Sequence, residues 1–98
     1  MKQYKLTIKL LNTDSYKIED LSIIIEQNYQ VIQKKDVELN LKEISFTLKK
    51  GEYKIYAIFS TQGLSYITPQ TFVSIPEIPE TEIDIAKSEI DDVLVDPI

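Results

Sequence analysis

The stretch that decides the fold runs from residue 44 to residue 57 and reads ISFTLKKGEYKIYA. Apolar and polar residues alternate on both sides of its central KKGE, which is the period-two pattern of strands with one buried face. In the second half, Tyr53, Ile55 and Ala57 form the inward row, and Phe59 extends it. Because a short glycine-containing turn joins the two runs, the pattern predicts a β-hairpin across residues 49–52.

The same alternation recurs on both sides of this segment and predicts a chain of short strands. Clusters of turn-forming residues separate the runs, and no stretch has the periodicity of an amphipathic helix. The sequence therefore predicts an all-β protein, folded as a single antiparallel β-sandwich of about seven strands over residues 1–86. The other strands are expected at residues 4–10, 21–26, 29–33, 37–41, 64–68, 70–75 and 81–85, with residues 34–36 as a polar turn.

The charge is concentrated near the end of the sequence. Residues 1–76 carry a net charge of +2, whereas residues 77–98 carry −7, so the total of −5 belongs to the last part of the chain. We expect residues 87–98 to form an acidic C-terminal tail. Such an asymmetry is typical either of a solvated terminal segment or of a tail that binds a partner.

Residue types that are missing exclude several kinds of chemistry. The chain contains no His, Cys, Trp or Arg, which removes thiolate and Ser-His-Asp catalysis, His- and Cys-bound metals, and the bidentate arginine grip on phosphates. It also lacks the glycine-rich motifs of nucleotide sites. We therefore predict no enzyme activity, no cofactor, no metal site, no small-molecule substrate and no nucleic-acid partner.

We expect no secretory signal in the first residues, since the apolar run after Lys2 and Lys5 is broken at Lys9. No run reaches the roughly 18 apolar residues of a membrane span. Localisation stays open: a full-length chain would be cytoplasmic or part of a particle, and an excised domain would belong to a cell-surface protein.

The deciding stretch also resembles a known family. A strand, a Gly-x-Tyr turn and a strand of alternating apolar residues are typical of transthyretin-like sandwiches, which include carboxypeptidase-regulatory-like and Cna-B-like domains. Leu48, Gly51, Tyr53, Ile55 and Ala57 occupy the matching positions. The resemblance extends over about residues 4–86 and implies a transthyretin-like sandwich. Residues 16–20 depart from the family pattern, which leaves an immunoglobulin-like strand order open.

Candidate contact residues follow from the alternation. Ile24, Tyr56 and Ile58 are predicted to face away from the core, where they would form an apolar patch for a partner or be covered by a second layer of chain. Tyr66 and Tyr29 are further candidates for exposed aromatic contacts. In the acidic segment, the candidates are Glu89, Asp91 and Asp92.

Two functions fit these observations. The first is a non-catalytic structural or protein-interaction module, such as a component of a surface, fibre or phage-particle assembly, which binds a protein partner or itself. The alternative is a small acidic inhibitor, encoded by a phage or mobile element, that binds a basic protein surface. Binding by such an inhibitor would weaken steeply with salt.

Overall fold

Two packed sheets of three and six strands make up residues 2–91, the part of the chain that the computed structural model describes. The chain is an all-β sandwich, as the sequence predicts. Its strands are β1 (Tyr4–Leu11), β2 (Asp20–Gln27), β3 (Gln30–Asp36), β4 (Glu43–Leu48), β5 (Gly51–Thr61), β6 (Leu64–Ile67), β7 (Thr71–Ile75), β8 (Glu80–Asp84) and β9 (Glu89–Ile90), with a single 3₁₀ turn at Ile85–Lys87.

The small sheet has the order β4-β1-β8 and contains one parallel pair. β1 runs antiparallel to β4 but parallel to β8, with Thr7 beside Glu80 and Leu11 beside Asp84. The small sheet is therefore mixed, while the other strand pairs are antiparallel as the sequence predicts. The reason is the crossover between sheets, since the chain leaves β7 in the large sheet and enters the small one in the direction of β1.

The large sheet is organised around β5, its longest strand at 11 residues. β2 pairs with one side of β5, and β3 pairs with the far side of β2. On its other side, β5 has two partners in succession: β7 pairs with its first half and β6 with its second half. β9 then pairs with β6, so the sheet includes residues that the sequence assigns to the acidic tail. The rest of that tail, residues 92–98, lies outside the described residues.

A buried threonine closes the gap between the two partners of β5. Ala57 falls where β7 has ended its pairing and β6 has not begun. Thr68, only 3% exposed, lies beside it. Its hydroxyl accepts a 2.8 Å hydrogen bond from the Ala57 N–H, and its own N–H donates to the Ala57 carbonyl at 3.0 Å. An interior backbone N–H without a partner is costly, so this side chain lets β5 pass unbroken through the core.

The core lies between the sheets and follows the predicted alternation. Every second residue of β1, β2 and β5 points inward, and both sheets contribute aliphatic and aromatic side chains. The fully buried large residues are Leu6, Ile8, Ile23, Ile25, Ile55, Ile75 and Ile85.

The predicted hairpin at residues 49–52 is wrong, although both of its strands exist. β4 pairs with β1 and β5 pairs with β2, so the turn carries the chain from one sheet to the other. Leu48 and Tyr53 consequently reach the same core from opposite sides. Alternation reveals which face of a strand is buried, but it does not reveal which sheet the strand joins.

The assignment of residues 29–41 also needs correction. Residues 34–36, predicted to be a turn, belong to β3, while residues 37–41, predicted to be a strand, form a connection. Val37 is buried, and its N–H donates to the Leu21 carbonyl, but Leu39 and Leu41 are exposed. The apparent alternation from 37 to 41 therefore does not reflect a buried face.

Three of the outer strands, β3, β4 and β8, carry features that discourage pairing with other chains. The carbonyls of Ser45 and Thr47 on β4 accept hydrogen bonds from Lys35 Nζ at 3.2 Å and Gln33 Nε2 at 3.1 Å, both from β3. β3 itself has a register shift where it passes Ile25 and Glu26 of β2. β8 carries carboxylates. Capped carbonyls, bulges and edge charges are recognised ways of protecting a strand edge.

We predict that Thr68→Val destabilises the protein by about 1–3 kcal/mol, because the valine leaves the buried Ala57 N–H without an acceptor. Thr68→Ser keeps the hydroxyl and should lose less than half as much stability. Urea unfolding followed by tyrosine fluorescence measures both variants. Equal losses would mean that packing of the Thr68 methyl group, rather than the hydrogen bond, is what matters.

Candidate functional site

The outward face of the large sheet carries three of the predicted contact residues in neighbouring rows. In one row, Phe72 of β7 lies beside Lys54 of β5, which lies beside Glu26 of β2. In the next row, Tyr56 lies beside Ile24, and Ile58 follows two residues further along β5. The structure thus brings Ile24, Tyr56 and Ile58 together on one face. Ile24 is 6% and Tyr56 9% exposed, however, so these two offer little free surface.

A short polar network fixes the centre of this face. The Tyr56 hydroxyl donates to Glu26 Oε2, and Lys54 Nζ lies 3.4 Å from the other oxygen of the same carboxylate. The hydrogen bond from Tyr56, assisted by Lys54, holds the pKa of Glu26 below its usual value against the opposing effect of burial. Burial, with the negative charge of Glu26, raises the pKa of Tyr56 to about 12. Glu26 is therefore an anion with both oxygens engaged, which suits it to structure rather than proton transfer.

An open cleft of about 440 Å³ lies at one end of this face, between the β2–β3 turn and β7. Glu26 and Lys54 contribute to its lining, together with Gln27, Tyr29, Phe72 and Ser74. We call it the aromatic cleft, because two exposed aromatic side chains line it, Tyr29 at 95% and Phe72 at 72% exposure. Clefts of this size fall within the range used for binding.

Tyr29 is held in an unusual backbone conformation. It follows Asn28 in the two-residue turn between β2 and β3, where Asn28 has φ of 54° and Tyr29 has φ of 65°. Positive φ at both central residues is the mark of a type I′ hairpin turn, which favours Asn-Gly. The equivalent turn between β5 and β6 uses Gln62 and Gly63, so this chain places a glycine at the second position there but a tyrosine here.

Tyr66, predicted to be exposed, is on the inner face instead. It pairs with Phe59 across the β5–β6 ladder, and its ring stacks on that of Phe59 with centroids 5.2 Å apart. Tyr16, from the connection between β1 and β2, packs against both rings. The three aromatics close one end of the core, so Tyr66 is a packing residue.

The structure describes two of the three acidic contact candidates, Glu89 and Asp91. Glu89 is exposed in β9, beside Ile67 of β6, and the Asp91 N–H donates to the Ser65 carbonyl at 2.9 Å. Asp92 lies outside the described residues. Neither Glu89 nor Asp91 lines the aromatic cleft.

Phe72 is the contact residue that sequence reasoning missed. In β7, Val73 and Ile75 are the buried row, and Phe72 stands out of phase with them. That phase was readable from the sequence, whereas the position of β7 beside Lys54 and near the β2–β3 turn was not.

Two further features concern residues 2–91, the described part of the chain. In that range, no three acidic side chains gather as they would around a metal ion. None of the helical structure described there is long and apolar enough to cross a membrane. Comparison with known proteins gives no matching family model and no matching curated protein.

We predict that the protein loses stability in acid partly because Glu26 becomes protonated and no longer stabilises the fold. Its pKa is lower in the folded state than its ordinary value of 4.5, so its contribution is present above pH 4.5 and is lost as the pH falls through the folded pKa. Glu26→Gln should therefore show a smaller loss of stability between about pH 6 and pH 3 than the unchanged chain. Urea midpoints across this range measure the difference.

The matched control is Glu38→Gln, which changes an exposed carboxylate in the β3–β4 connection. If Glu38→Gln flattens the pH profile as much as Glu26→Gln, the effect reflects total charge rather than the bonds to Tyr56 and Lys54.

Proposed function

We propose that this protein is a non-catalytic interaction module that binds a protein partner through the aromatic cleft. The observation that carries the proposal is Tyr29, an aromatic residue at a turn position suited to glycine, with 95% of its surface exposed. A left-handed conformation costs an ordinary residue about 1–2 kcal/mol. The exposed ring packs little against the rest of the chain, so packing does not offset this cost. Binding of a partner is the role that best explains a tyrosine at this position.

Phe72 supports the same role from the other side of the cleft. A phenylalanine 72% exposed on a strand leaves much of its large apolar surface in water. Aromatic residues are enriched in protein interfaces, where they bury much area and lose little side-chain entropy. Two such rings at one cleft, above a charge-compensated floor, match the anchor residues of a small interface.

The strand edges favour contact through this cleft rather than by strand addition. The two capped carbonyls of β4, the register shift in β3 and the carboxylates of β8 each oppose pairing with a foreign strand. Strand addition is thus opposed at β3, β4 and β8, and we assign partner binding to side chains of the outward face.

The absence of catalysis is part of the proposal and has its own support. The one carboxylate on the floor of the cleft, Glu26, is bonded to Tyr56 and paired with Lys54, which keeps it from acting as a general acid. The chain also has no His or Cys. Kinship with transthyretin-like domains stays a proposal that rests on the residue pattern of 44–57. The acidic-inhibitor alternative stays a prediction from charge.

The experiment that tests the proposal replaces Tyr29 with a photo-crosslinking phenylalanine analogue in the native cell. We expect adducts of a defined partner from position 29. The control places the analogue at Leu64, an exposed residue at the opposite end of β5 and β6. Adducts that are equal at both positions, or absent at 29, would contradict the proposal.

We predict that Tyr29→Gly stabilises the fold by a few tenths to about 1 kcal/mol while it weakens partner binding. Glycine adopts the left-handed turn without steric cost, which outweighs its greater freedom in the unfolded chain. Urea unfolding measures the gain. The reciprocal change at the equivalent turn, Gly63→Tyr, should lower stability by about 1 kcal/mol. A loss of stability in Tyr29→Gly would show that the ring supports the fold.

A further inference from the structure

We propose that the protein partner of the aromatic cleft presents an arginine side chain, which stacks on the exposed rings of Tyr29 and Phe72 and pairs with the carboxylate of Glu52. This inference rests on the proposed function, because it names the chemistry by which the same site recognises its partner. It commits the cleft to one occupant, an arginine on the surface of another protein.

The charges of the lining favour a cationic occupant. Two glutamates and one lysine line the aromatic cleft. Lys54 Nζ is already paired with Glu26, at 3.4 Å, so these two charges balance one another. Glu52 is exposed, and neither of the two ion pairs in the described part of the chain includes it. An occupant with one positive charge therefore balances the cleft, whereas an anion would be repelled by Glu52.

The exposed rings favour a cation that can lie flat. The face of an aromatic ring attracts a cation placed within about 6 Å of its centroid. The chain already uses this interaction at Tyr4 and Phe46, where lysine ammonium groups lie 5.4 and 5.0 Å from the ring centroids. Over residues 2–91, the cation–ring contacts include neither Tyr29 nor Phe72, so the faces of these two rings are open to a cation from a partner.

Arginine satisfies the rings and the carboxylate together. Its guanidinium group is planar and weakly hydrated, so it stacks on a ring while its N–H groups donate to a carboxylate. The ammonium group of lysine is a strongly hydrated point charge, which fits this combination less well. The chain contains no arginine, so the arginine must come from a different protein. The net charge of −5 also attracts a basic surface from a distance.

A second cleft in the same chain provides a comparison, because it has more negative charge but no aromatic ring. It is about 380 Å³ in volume and lies where β2 begins and β3 ends, with Asp20, Asp36 and Glu38 in its lining. Attraction by charge alone favours this second cleft. Recognition by rings and charge together favours the aromatic cleft, so the two explanations predict different binding positions.

The test is a titration of the full chain, followed by NMR of the tyrosine and phenylalanine ring protons. The probe is the peptide acetyl-Gly-Arg-Gly-amide, and its controls carry lysine or citrulline, the uncharged analogue of arginine, in place of arginine. We expect the arginine peptide to shift the Tyr29 and Phe72 signals with a Kd on the order of 10 mM. The lysine peptide should bind about threefold more weakly. An arginine peptide that binds no more tightly than the citrulline peptide would overturn the inference.

Substitutions test which groups hold the arginine. Glu52→Gln and Tyr29→Gly should each weaken binding of the arginine peptide by about fivefold, with the Phe72 ring protons as the readout in both variants. Glu38→Gln removes the same charge from the second cleft and should leave the Phe72 shifts unchanged. Equal losses in Glu52→Gln and Glu38→Gln would mean that total charge attracts the peptide, and the inference would be wrong.

Crosslinking separates this inference from the proposed function, which requires only that position 29 forms adducts with a defined partner. The inference adds that Glu52→Gln lowers the adduct yield, and that raising the salt of a cell extract from about 0.05 to 0.5 M lowers it too. If the yield is the same in Glu52→Gln as in the unchanged chain, the arginine is wrong and the interaction module stands. If position 29 crosslinks to nothing, both are wrong.

Discussion

The structure depends on β5 remaining fully hydrogen-bonded along both sides through the centre of the molecule. β2 pairs with one side of β5, whereas β7 and β6 share the other side. The backbone of Ala57 lies between these two strands and would otherwise have no hydrogen-bond partner on that side. Thr68 supplies those partners from its backbone and its hydroxyl. β7 pairs with the first half of β5, and that pairing places Phe72 in one row with Lys54 and Glu26. The cleft thus depends on β7 being one of the two strands that pair with this side of β5.

Strand positions and buried faces were largely predictable from residue alternation, and sheet membership was not. Tyr53, Ile55, Ala57 and Phe59 are buried as expected, since a period of two reports burial directly. The same pattern cannot separate a hairpin from a turn between sheets, because both leave Leu48 and Tyr53 facing a core. Leu39 illustrates a second limit: a short polar–apolar alternation imitates a strand even where the residue is in solvent.

The sequence predicts those features of the candidate site that depend on the phase of a single strand. It does not predict the features that depend on which strands lie side by side. The common face of Ile24, Tyr56 and Ile58 followed from the phase of β2 and β5. Their burial, the bond between Tyr56 and Glu26, and the place of Phe72 all require the pairing register between strands. Tyr66 was misplaced for a related reason. Its strand is only four residues long, and the neighbouring rings of Phe59 and Tyr16 decide its orientation.

The parallel pairing of β1 with β8 has a consequence for how the protein is made. Thr7 must wait for Glu80, a partner 73 positions later, before the central strand of the small sheet is complete. During synthesis, β1 and β4 can meet early, but their sheet lacks its third strand until almost the whole sandwich has been translated. Contacts this distant in sequence are typical of slow folding domains. Until β8 has been made, the apolar row of β1 is therefore incompletely covered, and exposed apolar rows of this kind make partly folded chains prone to aggregation.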